Sequence, residues 1–137
     1  MSKGYLALAM TVTMSAACSN GTYTSAGMCG GRLLNWQSPS RGIGELATLQ
    51  PIRITKNNEL RWNGAIISMI LLDDYLGRMR KLSPEPQMIL HVEDGASCST
   101  VKAVRSSMEA HLGCFNSRAC GEGRGWRRWP GAKPEDF

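Results

Sequence analysis

The sequence lacks an uninterrupted apolar run long enough to cross a bilayer. Its most apolar stretch, residues 5–14, gives way to Ser15-Ala16-Ala17-Cys18, well short of the roughly 20 apolar residues a spanning helix requires. A permanent transmembrane anchor is therefore not expected. There is no Gly-x-Ser-x-Gly elbow and no Walker loop, so neither a serine hydrolase nor a phosphate-cradling enzyme has a motif to rest on. A close Cys-x-x-Cys pair, the usual nucleus of a structural zinc site, is also missing.

What is present is ordinary for a folded chain. With 42% hydrophobic and 20% charged residues, the 137-residue sequence is neither disordered throughout nor a bundle of membrane spans. That length supports one small domain plus tails. Lys and Arg number 16 against 11 Asp and Glu, a formal charge of +5 that favours anionic partners without naming one.

The amino terminus has the order of a signal peptide: the cation Lys3, an apolar core from Tyr5 to Met14, and small residues before Cys18. Small residues ahead of a cysteine resemble the bacterial lipobox, with Ser15 where that motif usually carries Leu, so Cys18 is the candidate lipidation residue and ordinary cleavage nearby is the rival. With Cys18 set aside, Cys29, Cys98, Cys114 and Cys120 form an even set suited to two disulfides in an oxidising compartment. Pairing Cys29 with Cys120 and Cys98 with Cys114 would tie the two ends of the chain together. A helix between Cys98 and Cys114 would however be about 20 Å long, against the roughly 7 Å limit between bridged Cα atoms. All three connectivities stay open.

Residues 1–18 are thus read as a leader and 19–49, rich in Gly, Ser and Thr, as an irregular lead-in or linker. From Pro51, Ile52 and Ile54 alternate with polar residues, Asn57-Asn58 offers a reversal, and Leu60 and Trp62 alternate again: a hairpin. Ser68 caps an amphipathic helix carrying Leu72, Tyr75, Leu76 and Met79, which ends before Pro84. Asp73 and Asp74 are placed at its positive end. The run Met88-Ile89-Leu90-His91-Val92 suits a strand in the middle of the sheet, covered on both faces. Ser97 or Ser99 caps a second helix with Val101, Val104, Met108 and Leu112 inward and Gly113 at its exit. Cys114-Phe115 is the candidate start of a last strand. The expected fold is α/β (α+β), a small mixed sheet with two helices on one face, in the order β-β-α-β-α with a possible last β. The domain is expected over 50–121, with a basic Trp/Arg tail over 122–137.

A family resemblance lies within this domain. The features are Trp62-Asn63-Gly64 closing the first strands, Leu72-Asp73-Asp74-Tyr75-Leu76 in the first helix, Val92-Glu93-Asp94 ending a strand, and a second helix with Val101, Val104, Arg105, Met108 and Glu109 running to His111-Leu112-Gly113. Together they resemble the periplasmic domain of the ExbD/TolR biopolymer transport proteins. That resemblance implies a small α/β domain that dimerises in the periplasm and couples a proton-driven inner-membrane motor to an envelope partner. The family's acidic residue within the membrane has no counterpart, since the first carboxylate of this chain is Glu45.

The implied site is one of contact rather than catalysis, with no cofactor and no metal. Asp94 is the position carried over most directly, with turn formation as its simpler role, and Trp62 belongs to the same inference. In the tail, Trp126, Arg127, Arg128 and Trp129 mix cations with rings that favour interfaces. Two readings stand: a grip on an anionic membrane surface or envelope polymer, or a segment whose rings fold back over the domain. Nucleic acid ranks low for an exported chain. The alternative function is a small secreted metal protein or enzyme built on His91, His111, Cys98 and Cys114.

Overall fold

The structure, a computed structural model, describes residues 21–41, 43, 48–115 and 118–134. The leader, Cys18 and Glu45 lie outside them. The strands are β1 (Leu49–Ile54), β2 (Leu60–Trp62), β3 (Ala65–Ile67), β4 (Gln87–Val92) and β5 (Cys120–Glu122), and the helices are α1 (Met69–Met79) and α2 (Cys98–Leu112). The strands form one mixed sheet in the order β3-β2-β1-β4-β5, the α+β fold expected. β1 is antiparallel to β2, β2 is antiparallel to β3, and β4 is parallel to both β1 and β5.

Cross-strand register fixes which side chains share a face. Ile52 pairs with Trp62 and Leu90, and Ile54 with Leu60 and Val92, so one face of the sheet is continuously apolar. Both helices cover it: Leu72 and Leu76 of α1 and Val101, Val104, Met108 and Leu112 of α2 are buried against those strand residues. Burying such side chains stabilises the fold by about 1.5–3 kcal/mol each.

Local sequence explains the element ends. The Ser68 hydroxyl accepts the Leu71 amide at 3.1 Å and starts α1, and Ser97 does the same for the Thr100 amide at 3.3 Å in α2. Gly113 ends α2 at φ 60. Asn58, at φ 65, turns the β1–β2 hairpin as expected of Asn.

Four expectations need correction. The hairpin continues into β3 through Asn63-Gly64, both at positive φ (49 and 82), a two-residue turn of the kind that reverses adjacent strands. The middle of the sheet is β1 rather than β4. The last strand begins at Cys120, where pairing with Met88 of β4 starts, six residues after Cys114, to which Cys120 is bridged. Finally, α1 starts at Met69, so Asp73 and Asp74 lie beyond its first turn. Asp74 instead pairs with Arg78 at 2.8 Å, while Asp73 receives the Ser107 hydroxyl and lies 3.4 Å from His111 Nε2, joining α1 to α2.

The segment before β1 is irregular but is no linker. Tyr23 and Trp36 are buried in the main core. Tyr23 exchanges backbone hydrogen bonds with Ala96 and Gly95, and Gln37 bonds along β5. No helix among the described residues is long and apolar enough to cross a membrane.

Candidate functional site

The two edges of the sheet are built differently. β5 is overlaid by Gln37, whose amide donates to the Cys120 carbonyl at 2.8 Å and whose carbonyl accepts the Glu122 amide at 3.2 Å. β3 has no such cover among the described residues. In β3 the pair Trp62–Ala65 closes the two-residue turn, so the alternation of antiparallel bonding directs the Ile66 amide and carbonyl away from β2. The Ile66 side chain is 60% exposed and Ile70, four residues on, is 83% exposed. An aligned, unpaired strand edge carrying an exposed isoleucine can accept another strand.

Around β5, polar groups are buried and fully engaged. The Glu122 carboxylate is fully buried and receives the Arg105 guanidinium through two bonds, Nε to Oε2 at 2.9 Å and Nη2 to Oε1 at 2.6 Å. Tyr23 also hydrogen-bonds Glu122, and burial first, then that carboxylate, pushes the phenol up to about 12. Arg105 further donates to the Met28 carbonyl at 2.7 Å and the Cys29 carbonyl at 3.4 Å. Those two residues adopt left-handed conformations, at φ 44 and 50, which side chains other than glycine resist.

This loop arches over the outer side of α2. It is anchored by the Cys29–Cys98 disulfide, by Arg105, and further along by the Trp36 Nε1 bond to Glu109 at 2.5 Å. Beneath the arch is a cleft of about 680 Å³, lined by Cys29, Arg32 and Leu33 from the loop and by Lys102, Glu109 and Ala110 from α2, with Arg105 at its base.

The cysteines settle into Cys29–Cys98 and Cys114–Cys120. The Cys29–Cys120 and Cys98–Cys114 pairing therefore gives way, in keeping with the length of the helix between Cys98 and Cys114. The metal alternative loses its thiols to these bridges, and its histidines stand apart on β4 and at the end of α2. Among the described residues no three His, Cys, Asp or Glu side chains gather to hold an ion.

The expected contact residues scatter. Trp62 is buried, its ring 5.0 Å from that of Tyr75, so it packs α1 onto the sheet. Trp126 is wholly buried on the opposite face of the sheet. A Cβ at Gly121 would stand 2.7 Å from its ring and 2.9 Å from Ile89, so glycine there lets the indole lie on the strands. For this ring the structure therefore matches the folded-back reading. Trp129 stays 52% exposed, and the Arg127 guanidinium donates to the Ala132 carbonyl. Asp94, at the end of β4, accepts from the Ser25 hydroxyl at 3.2 Å and from Arg124 at 3.1 Å, joining the segment before β1 to the tail. Trp62 adjoins β3 through its pairing with Ala65, but its ring is on the core side rather than at the open edge. The Ile66 edge went unread because β3 itself did, although Asn63-Gly64 signals such a turn.

Compared with family models, curated proteins and solved structures, the chain finds no match.

Proposed function

We propose that the protein is a noncatalytic module of the bacterial cell envelope, similar in kind to the periplasmic domain of ExbD/TolR, that acts by protein contact. The observation that carries this reading is the open β3 edge with Ile66 exposed on it, opposite a β5 edge already closed by Gln37. Its occupant is a second copy of the chain. Antiparallel pairing of β3 with its twofold mate would place Ile66 against Ile66 and satisfy the outward backbone groups. Two cysteine pairs at bonding distance support an oxidising compartment such as the periplasm. The half-exposed Trp129 in the basic tail supports secondary contact with an anionic membrane surface or envelope polymer.

The test is a photoreactive phenylalanine derivative in place of Ile66, irradiated in intact cells, with Leu34, itself 83% exposed, as the control position. A homodimer adduct from Ile66 and none from Leu34 is expected. In the chain without the photoreactive residue, Ile66→Lys should shift the dimer to monomer in sedimentation while moving stability by less than about 0.5 kcal/mol, as for ordinary surface changes. Adducts equally strong at both positions, or none at Ile66, would refute the reading.

A further inference from the structure

We infer that Cys29 is a reversible modification site: a small thiol entering the cleft beneath the arch exchanges with the Cys29–Cys98 bridge, becoming bonded to Cys29 and releasing Cys98 as a thiolate. The inference does not rest on pairing at the β3 edge.

Access decides which bridge reacts and at which sulfur. Cys29 is half-buried and lines the cleft, whose volume of about 680 Å³ holds a small molecule. Sites for such ligands run to about 300–1,000 Å³. Cys98 is 5% exposed, and its Sγ lies 3.6 Å from where a Cβ on Gly21 would stand, so the chain at Gly21 screens it. Cys114 and Cys120 are both wholly buried, which closes the second bridge to a thiol while the domain is folded.

The leaving group points the same way. A sulfur is expelled faster the better its developing negative charge is stabilised. Cys98 is the first residue of the 15-residue helix α2, at its positive pole, with no acidic residue in the first turn to oppose a thiolate. Cys114 directly follows Gly113, at the negative pole of the same helix. Of the two bridges, only Cys29–Cys98 therefore combines an accessible sulfur with a stabilised leaving thiolate. Loop length alone would make this bridge, with its separation of 69 residues, the harder one to reduce, so the rate order expected here is the reverse of the order set by loop closure.

The step balances without an outside oxidant. The incoming thiolate bonds to Cys29 Sγ, the bond between the two Sγ atoms breaks, and its electron pair stays on Cys98; a second thiolate attacking the added sulfur releases a small disulfide and leaves two protein thiols. With the bridge open, Arg105 still holds the Met28 and Cys29 carbonyls at 2.7 and 3.4 Å, and the Cys98 amide still donates to the Gly21 carbonyl at 2.9 Å. Arg105 is itself held by Glu122. Cys98 thus stays beside the mixed disulfide and can close the bridge again by expelling the thiol, which makes the modification reversible.

The test exposes the oxidised full-length chain, carrying Cys18→Ser so that the four bridged sulfurs are the only ones, to mercaptoethanol under native conditions. Samples are quenched with acid over time, alkylated and mapped by peptide mass. Cys29–Cys98 should open at least about tenfold faster than Cys114–Cys120, with singly modified chains carrying the adduct on Cys29 and an alkylated Cys98. In guanidinium that preference should vanish, because unfolding exposes both bridges. Ser106→Trp fills the cleft from an exposed helix position and should slow the opening by about tenfold. Ser99→Glu, also exposed, places a carboxylate beside Cys98 where the helix accepts one, and should slow it by about threefold without lowering stability. This second variant keeps the test decisive if the Trp variant folds poorly, and with the rate order it decides the matter if no singly modified chain accumulates. Cys114–Cys120 opening first or equally fast in the folded chain, an adduct on Cys98, or rates indifferent to both variants would overturn the site.

Discussion

The two edges of this sheet solve the same problem in opposite ways. At β5 the chain closes the edge with Gln37, buries the Arg105–Glu122 pair beside it, and places the Cys114–Cys120 bridge at its start. At β3 it uses three residues and a two-residue turn, with no disulfide and no buried ion pair there among the described residues. A strand edge that is merely short is guarded against unlimited aggregation but still open to one specific mate. On the proposed reading, rigidity and contact fall to separate ends of one small domain: the stapled end holds its shape, and the bare end would pair.

The comparison breaks most severely at Glu122. Replacing it with Ala leaves the Arg105 guanidinium buried without its carboxylate, frees Tyr23 of its partner, and should cost about 3–5 kcal/mol in denaturant unfolding. On the β3 side, Arg61 and Glu59 form a superficially similar pair at 3.0 Å, but both are more than a third exposed. Glu59→Ala should therefore cost no more than about 1 kcal/mol. Similar losses from the two variants would mean that the stapled end has no special hold on stability.

The disulfides sharpen the same contrast. Cys29–Cys98 closes a separation of 69 residues and Cys114–Cys120 one of 6. By loop-closure entropy the first is worth about 4 kcal/mol and the second about 2 kcal/mol. Paired Ser variants, Cys29→Ser with Cys98→Ser and Cys114→Ser with Cys120→Ser, should lower the unfolding midpoint in that order. Homodimer crosslinking from Ile66 should survive both.

How much of this was legible in the sequence depends on the range of the cause. Ser68, Ser97 and Gly113 act on backbone groups within one helical turn, and the structure places helix ends at all three. Ile52, Ile54, Leu60 and Trp62 alternate, and they do share the core face. β3 was missed because three residues give too little pattern for periodicity to register, and its only signal was the Asn63-Gly64 turn. The candidate site was harder to foresee. Met28 and Cys29 are held at the start of the arch by Arg105, 77 and 76 residues away in sequence, which no local rule supplies. Trp126 in a basic run carries the composition of an interface, and only the glycine at 121 on a neighbouring strand shows where its ring goes.

The smallest predicted effect separates the two ends by pH. His91, on the β4 strand next to β5, carries a buried Nδ1 with no hydrogen-bond partner. Burial first, then the positive charges of Arg124 and Arg53, hold its pKa below the ordinary 6.5, with Glu93 opposing them. The unfolded chain therefore takes up this proton before the folded one does. Stability from this group is complete above about 6.5 and is lost as pH falls below that value toward the lowered folded pKa. Because the ring is only partly buried, the loss should fall well under the ceiling of about 1.4 kcal/mol per pH unit for one proton. Glu93 is held below the carboxylate range by the Lys56 amide and by Arg53, so its own loss enters only at lower pH. Thermal unfolding between pH 7.5 and 5.5 should accordingly fall more steeply for the native chain than for His91→Gln, about in proportion to one proton's linkage. Across that range the Ile66 crosslink should not change, since no titrating group lies on β3 (Ala65–Ile67). Parallel slopes for the native chain and His91→Gln would show that His91 titrates alike in both states, and would remove it from the stapled end's share of stability.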